Sequence, residues 1–137
     1  LDDLGLPIAL QRLVEDFTAR SRIRGSFEHK NIPAAVPQEI ATCLYRITQE
    51  SLNNVVRHAE ASQVDVELTG AQSALIVTIT DNGVGFDSEQ SGHGSHGLGL
   101  LGMKERVALV QGELLVSSAV GKGTRVQVAV LVPEGEV

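Results

Sequence analysis

Four short stretches of this sequence hold residues whose types and spacing could do chemistry. The first lies on a helical pattern around residue 50. Glu50, Asn54, Arg57 and His58 follow one another at steps of four, three and one, which at 100° per residue sets all four within an arc of roughly 100°. Ala41, Leu44, Thr48, Leu52, Val55 and Ala59 fall on the opposite side, so one face can pack while the other stays polar. Such a polar face is often plain solvated surface, but its composition allows more. The amide oxygen of Asn54 is a hard donor suited to Mg2+. Arg57 and His58 can approach phosphate oxygens, and Glu50 can orient a nucleophile or a metal-bound water.

The second stretch, Asp81-Asn82-Gly83-Val84-Gly85-Phe86, follows an apolar run. An aspartate at a strand end can accept a hydrogen bond from an exocyclic amine, and glycines let the backbone lie close to a flat ring; the same residues also make an ordinary turn. The third, Gly97-Leu98-Gly99-Leu100-Leu101-Gly102, opens a helix whose free N–H groups and dipole suit a phosphate. No Gly-Lys-Ser or Gly-Lys-Thr follows it at the spacing of a Walker loop, and its glycines do not fit the dinucleotide fingerprint. The fourth, Gly121-Lys122-Gly123-Thr124, reads as a hairpin turn that leaves the Thr124 hydroxyl at the start of a strand.

The elements that must position these residues follow from periodicity. Ile8, Leu10, Leu13, Val14 and Phe17 recur at helical spacing, which predicts an amphipathic helix over 6–20. A weakly signalled strand over 24–30 contains Gly25. A second helix runs from Pro37, suited to a first turn, to about Ala59. Alternation then predicts strands around Val64–Leu68 and Leu75–Thr80, paired through a glycine-containing turn at 70–73. After a glycine-rich loop over 81–97, a third helix begins near Leu98, turns Leu100, Met103, Val107 and Val110 to one side, and stops at Gly112. Strands over 114–118 and 124–132 form a last hairpin. The order predicts an α+β two-layer sandwich, a mixed sheet with helices packed on one face.

The 137 residues, 42% of them hydrophobic, suit one domain over 1–137 with a core that needs no disulfide. A formal charge of −6 argues against nucleic acid or an anionic membrane as the main partner. Cys43, the single cysteine, sits in an apolar helical pattern as a core residue. No run approaches the ~20 apolar residues of a membrane span, and the start carries neither a secretion signal nor a methionine. The expectation is a cytoplasmic domain, with no membrane contact of its own, cut from the interior of a longer chain.

Taken together and in this order, the four stretches resemble the boxes of the ATP-binding (Bergerat) fold shared by DNA gyrase, Hsp90 chaperones, histidine kinases and MutL repair proteins. Glu50-Ser51-Leu52-Asn53-Asn54-Val55-Val56-Arg57-His58-Ala59 is similar to the N box, and the three glycine stretches to the later boxes. Ile47-Thr48-Gln49-Glu50 and Gly102-Met103-Lys104-Glu105-Arg106-Val107 look most like histidine kinases of the NarL, DesK and LiaS type. Leu1-Asp2-Asp3-Leu4-Gly5-Leu6 resembles the segment after their dimerisation and phosphoacceptor helices, so residues 1–5 read as linker.

The resemblance implies two cofactors, ATP and Mg2+, with Asp81 on the adenine amino group and Asn54 on the Mg2+ that bridges the phosphates. Glu50 would assist the attacking histidine, Arg57 and His58 would contact phosphate, and Gly83 and Gly85 would make room for the base. Gly97, Leu98, Gly99 and Leu100 would serve the phosphates. Thr124 would support the adenine site, and residues 87–97 would form a short lid, with no phenylalanine-centred box between the first two glycine boxes. None of His29, His58, His93 and His96 looks like a phosphoacceptor. The expected partners are therefore the dimerisation and phosphoacceptor domain of the same kinase and, through the full-length protein, a response regulator. The isolated chain should be monomeric, bind ATP and not autophosphorylate. A serine kinase of the anti-sigma type, an ATPase clamp of the gyrase, Hsp90 or MutL kind, and a pure interaction module are the rival readings.

Overall fold

The computed structural model describes residues 5–86 and 99–133. Helix α1 (Gly5–Ser21) leads to strand β1 (Arg24–Lys30), helix α2 (Gln38–Asn54) and strands β2 (Gln63–Ala71) and β3 (Ala74–Asp81); helix α3 (Leu100–Leu109) then precedes β4 (Glu113–Ser118) and β5 (Thr124–Leu131). The sheet order is β1-β2-β3-β5-β4. β1 runs parallel to β2 across the α2 crossover, and the remaining pairs are antiparallel, as a βαβ unit followed by two hairpins requires. The mixed sheet with helices on one face is thus the α+β sandwich that the element order predicts.

The core is the seam between the helices and one sheet face. Alternation turns Val64, Val66 and Leu68 of β2, Leu75, Val77 and Ile79 of β3, and Val126, Val128 and Val130 of β5 inward, all buried. α2 lays Ile40, Ala41, Cys43, Leu44, Ile47, Thr48 and Leu52 over them, and each large apolar side chain so buried contributes about 1.5–3 kcal/mol. Thr48 donates its hydroxyl proton to the Leu44 carbonyl at 2.8 Å, which satisfies the polar atom in place. Cys43 is buried, its thiol pushed up by desolvation against a smaller lowering from Arg106, which is the state of a core residue rather than a nucleophile.

Several local expectations shift. In α1 the buried stripe is Leu6, Leu10, Val14 and Phe17, while Ile8 faces solvent. Pro37 caps α2 instead of lying in its first turn. The β2–β3 turn is carried by Gln72 and Ser73, both at positive φ, and Gly70 stays inside β2. At the end of α3 the left-handed residue is Gln111, not Gly112. Gly112 donates its N–H to the Val107 carbonyl, and a side chain there would press on Val130 and the Ala129 carbonyl. Its glycine serves close packing of the helix exit on β5.

Candidate functional site

α2 does not end as a plain α-helix. Residues Val55–Ala59 form a π-helical turn, closed by Glu60 in the left-handed conformation. The widened turn changes the even 100° step beyond Asn54, so Arg57 and His58 do not continue the stripe at the spacing counted from sequence. The stripe is also a flank of the core face rather than its opposite: Ile40, Cys43 and Ile47, at the same angular positions earlier in α2, are buried. Glu50 and Asn54 emerge half-buried where that flank leaves the core.

Glu50 meets the start of α3. Gly99, in the left-handed conformation, caps this helix, and a methyl group added there would lie 3.4 Å from Glu50 Oε2. The carboxylate of the first stretch and the helix start of the third are therefore side by side. Leu100 is half-buried at that start. Gly97, Leu98 and the expected lid over 87–97 fall outside the described residues, as does the His58 side chain. Arg57 is exposed and lines a groove of about 390 Å3 between α1 and α2, together with Phe17, Tyr45 and Asn53.

The second and fourth stretches meet at the same end of the sheet, where α2 gives way to β2. Asp81 ends β3 directly opposite Thr124, the first residue of β5, and both side chains point to the helix-facing side. Asp81 is 7% exposed. Its Oδ1 accepts the Gly83 N–H at 2.8 Å. Burial pushes its carboxyl above the usual carboxylate range, and backbone hydrogen bonds from Gly83 and Thr124 pull part of the way back. A depression of about 310 Å3 at this end of the sheet is lined by the open-face side chains Thr80, Ser117 and Arg125 as well as by Asp81, Ser118 and Thr124.

The loop after β3 is tied down on both sides. Asn82 Oδ1 accepts the N–H groups of Ser62 and Gln63, each at 2.9 Å, and its Nδ2 donates to Ser62 Oγ at 2.8 Å. Phe86 donates its N–H to Ser118 Oγ at 2.8 Å. Gly85, at φ +66°, lies under the β4–β5 turn, where any side chain would run into the Ala119 and Gly123 carbonyls. The glycine requirement at this position is thus set by the protein's own backbone. Sequence reasoning did not single out Asn82 or Ser118 as site-building residues. Asn82 stands inside the quoted motif; Ser118 shows only as a strand end three residues before a glycine.

Asp81 with Thr124, Glu50 beside the start of α3, and the half-buried Asn54 all fall within one stretch that a family model covers. The description "Histidine kinase-, DNA gyrase B-, and HSP90-like ATPase" matches residues 39–134. The chain belongs to this family. It is 36% identical over 130 residues to the signal transduction histidine-protein kinase/phosphatase DegS of Brevibacillus brevis, covering 95% of this chain and 33% of that protein. It is 42% identical over 120 residues to the sensor histidine kinase MctS of Rhizobium johnstonii, covering 87% of this chain and 26% of that one. The chain thus spans about a third or less of these relatives. Among solved structures, it superimposes on the blue-light activated histidine kinase of Erythrobacter litoralis EL346 with a TM-score of 0.75 at 24% identity, over 96% of this chain and 43% of that one. The mycobacterial sensor histidine kinase MprB gives 0.70 at 21%, over 94% and 95%. These likenesses establish the fold. No helix among the described residues is long and apolar enough to cross a membrane.

Proposed function

We propose that this chain is the ATP-binding catalytic domain of a sensor histidine kinase, which in its parent protein transfers the γ-phosphoryl group of ATP to a histidine on a dimerisation domain. The observation that carries the reading is the buried Asp81 carboxylate. One of its oxygens is held by the Gly83 amide, and it lies across from Thr124 on the helix-facing side of the sheet. A buried carboxylate is costly unless something is to be bound there, and an exocyclic amine is the donor that fits. The names of the relatives favour histidine over serine as the acceptor.

The donor set suits Mg2+ as well. Asn54 offers a half-buried amide oxygen one helical turn from Glu50, and Asn54 would hold the ion. When bound, Mg2+ neutralises charge on the phosphate oxygens. Glu50, beside the cap of α3, would orient the attacking imidazole and take up its proton. His58 would contact phosphate, as would Arg57 on swinging out of the α1–α2 groove it lines; Gly83 would leave room for the base, and Gly97 to Leu100 would bring backbone N–H groups to the phosphates. Residues 87–97 would close over the nucleotide. Positioning and charge neutralisation are the main contributions a protein makes to phosphoryl transfer.

The proposed partners are the dimerisation and phosphoacceptor domain and, through it, a response regulator; the proposed location is the cytoplasm. The test is calorimetric titration with Mg-ATP, followed by mixing with a separately made phosphoacceptor domain and radiolabelled ATP. Nucleotide binding by the chain alone, with label appearing on histidine only in the mixture, is expected. No binding by the wild-type chain would sink the reading.

A further inference from the structure

One hydroxyl gathers three segments of the site and has no role in the reading above. Ser118 Oγ lies 2.8 Å from the Phe86 amide nitrogen, 3.0 Å from the Gly123 carbonyl oxygen and 2.8 Å from Thr124 Oγ1. A serine hydroxyl has one proton to give and two lone pairs to receive. The Phe86 N–H can only donate, and the Gly123 carbonyl can only accept. All three contacts are satisfied together in a single way: Ser118 donates to Gly123 and accepts from both the Phe86 N–H and the Thr124 O–H. The hydroxyl proton of Thr124 is then spent inside the protein. What Thr124 turns outward is lone pairs, across from an Asp81 carboxylate that is itself an acceptor.

We propose that Ser118 is a specificity-determining positioning residue: by holding the Thr124 proton it keeps this corner acceptor-only, so a purine edge carrying an amine is taken and one carrying a carbonyl there is refused. The inference rests on the nucleotide reading above. An adenine amine meets acceptors, whereas the guanine carbonyl oxygen meets lone pairs and loses the hydrogen bond it had to water. Sites that discriminate by hydrogen-bond polarity do so more strongly than those that discriminate by size. Without the Ser118 hydroxyl, the Thr124 proton is released and can rotate to donate to a carbonyl oxygen.

The experiment measures ATP and GTP dissociation constants for the wild-type chain, Ser118→Ala, Ser118→Thr, Thr124→Val and the Ser118→Ala/Thr124→Val double variant. Ser118→Ala is expected to shrink the preference for ATP over GTP about tenfold, the weight of one hydrogen bond. Ser118→Thr restores the hydroxyl and keeps the preference. Thr124→Val also shrinks it, and adding Ser118→Ala in that background changes the ratio no further. A merely structural serine predicts something else: both nucleotides weaken together and the ratio stays put, which overturns the proposal. So does a ratio that Ser118→Ala moves equally with and without Thr124. Should Ser118→Ala not fold, a ratio unmoved by Thr124→Val overturns it alone. A wild-type chain that binds no ATP removes the nucleotide reading itself, whereas one that binds ATP with an indifferent Ser118 removes only this assignment.

Discussion

The two ends of the site are built on different principles. At the Asp81 end, the polar groups are held by other groups before any ligand arrives. Gly83 holds the carboxylate, Asn82 staples the loop to β2, and Ser118 joins Phe86, Gly123 and Thr124. At the α2 end, Glu50 and Asn54 stand on a helix whose last turn is π-wound, and the Glu50 side chain lies 3.4 Å from where a side chain on Gly99 would begin. The first end is a mould; the second is a set of groups carried on helix termini. On the proposed reading, the loop-built end would receive the base and the helix-borne end the reacting phosphates.

The widest break in that comparison should come from Glu50→Gln. With a phosphoacceptor domain supplied, we expect transfer to slow by about 100-fold or more while ATP affinity changes by less than about twofold, because the amide keeps the shape beside Gly99. Single-turnover phosphorylation alongside calorimetry checks both numbers. A matching loss of affinity would mean that Glu50 belongs to the binding mould.

Asp81→Asn comes next and tests the mould itself. ATP binding should weaken about 100-fold, as expected for a buried hydrogen bond to a charge, with no fall in melting temperature at neutral pH. The sign follows from burial. The carboxyl of Asp81 titrates higher in the folded chain than in the unfolded one, so between those two values the folded state holds the extra proton. Stability therefore declines as pH rises through that window. The neutral amide escapes that decline, so any gain in melting temperature should be present above the window and absent below the ordinary carboxylate range. A variant that melts several degrees lower at pH 7 would show the charge to be structural.

Two glycines sharpen the contrast at smaller scale. Gly85→Ala forces a side chain at positive φ into the Ala119 and Gly123 carbonyls and should cost about 2–3 kcal/mol in denaturant unfolding. Gly102→Ala, in α3 with nothing within 4 Å of the added carbon, should gain about 0.5–1 kcal/mol. Equal effects at the two positions would erase the distinction between a packed loop and an open helix.

Most of the fold was legible because it is written in periods. β2 and β3 alternate, and the apolar stripe of α3 recurs every three or four residues. The candidate site was legible as ordered motifs: Asp81, Thr124, Glu50 and Asn54 are identifiable by their neighbours in the chain. What stayed hidden has no local signature. The Asn82 staple reaches back 20 residues to Ser62, and Ser118 reaches back 32 to Phe86; no spacing rule ties such pairs. The π turn is hidden for another reason, since the same residues serve a helix of either pitch. The Gln72-Ser73 turn and Gln111 use the left-handed region without glycine or asparagine, against the usual preference.

The register of β3 on β5 has a consequence for how the chain folds. Asp81 faces Thr124, and Ser118 of β4 also faces Thr124, so three strands must be aligned to the residue before the acceptor corner exists. A slip of one position would send Thr124 to the open side of the sheet and leave Asp81 without its counterpart. A nucleotide that needs this corner can bind only the correctly aligned strands, and by mass action it pulls the population toward them. Bound ligand would then act as a proofreader of strand pairing, and amide exchange at the β3–β5 ladder should slow in proportion to its occupancy.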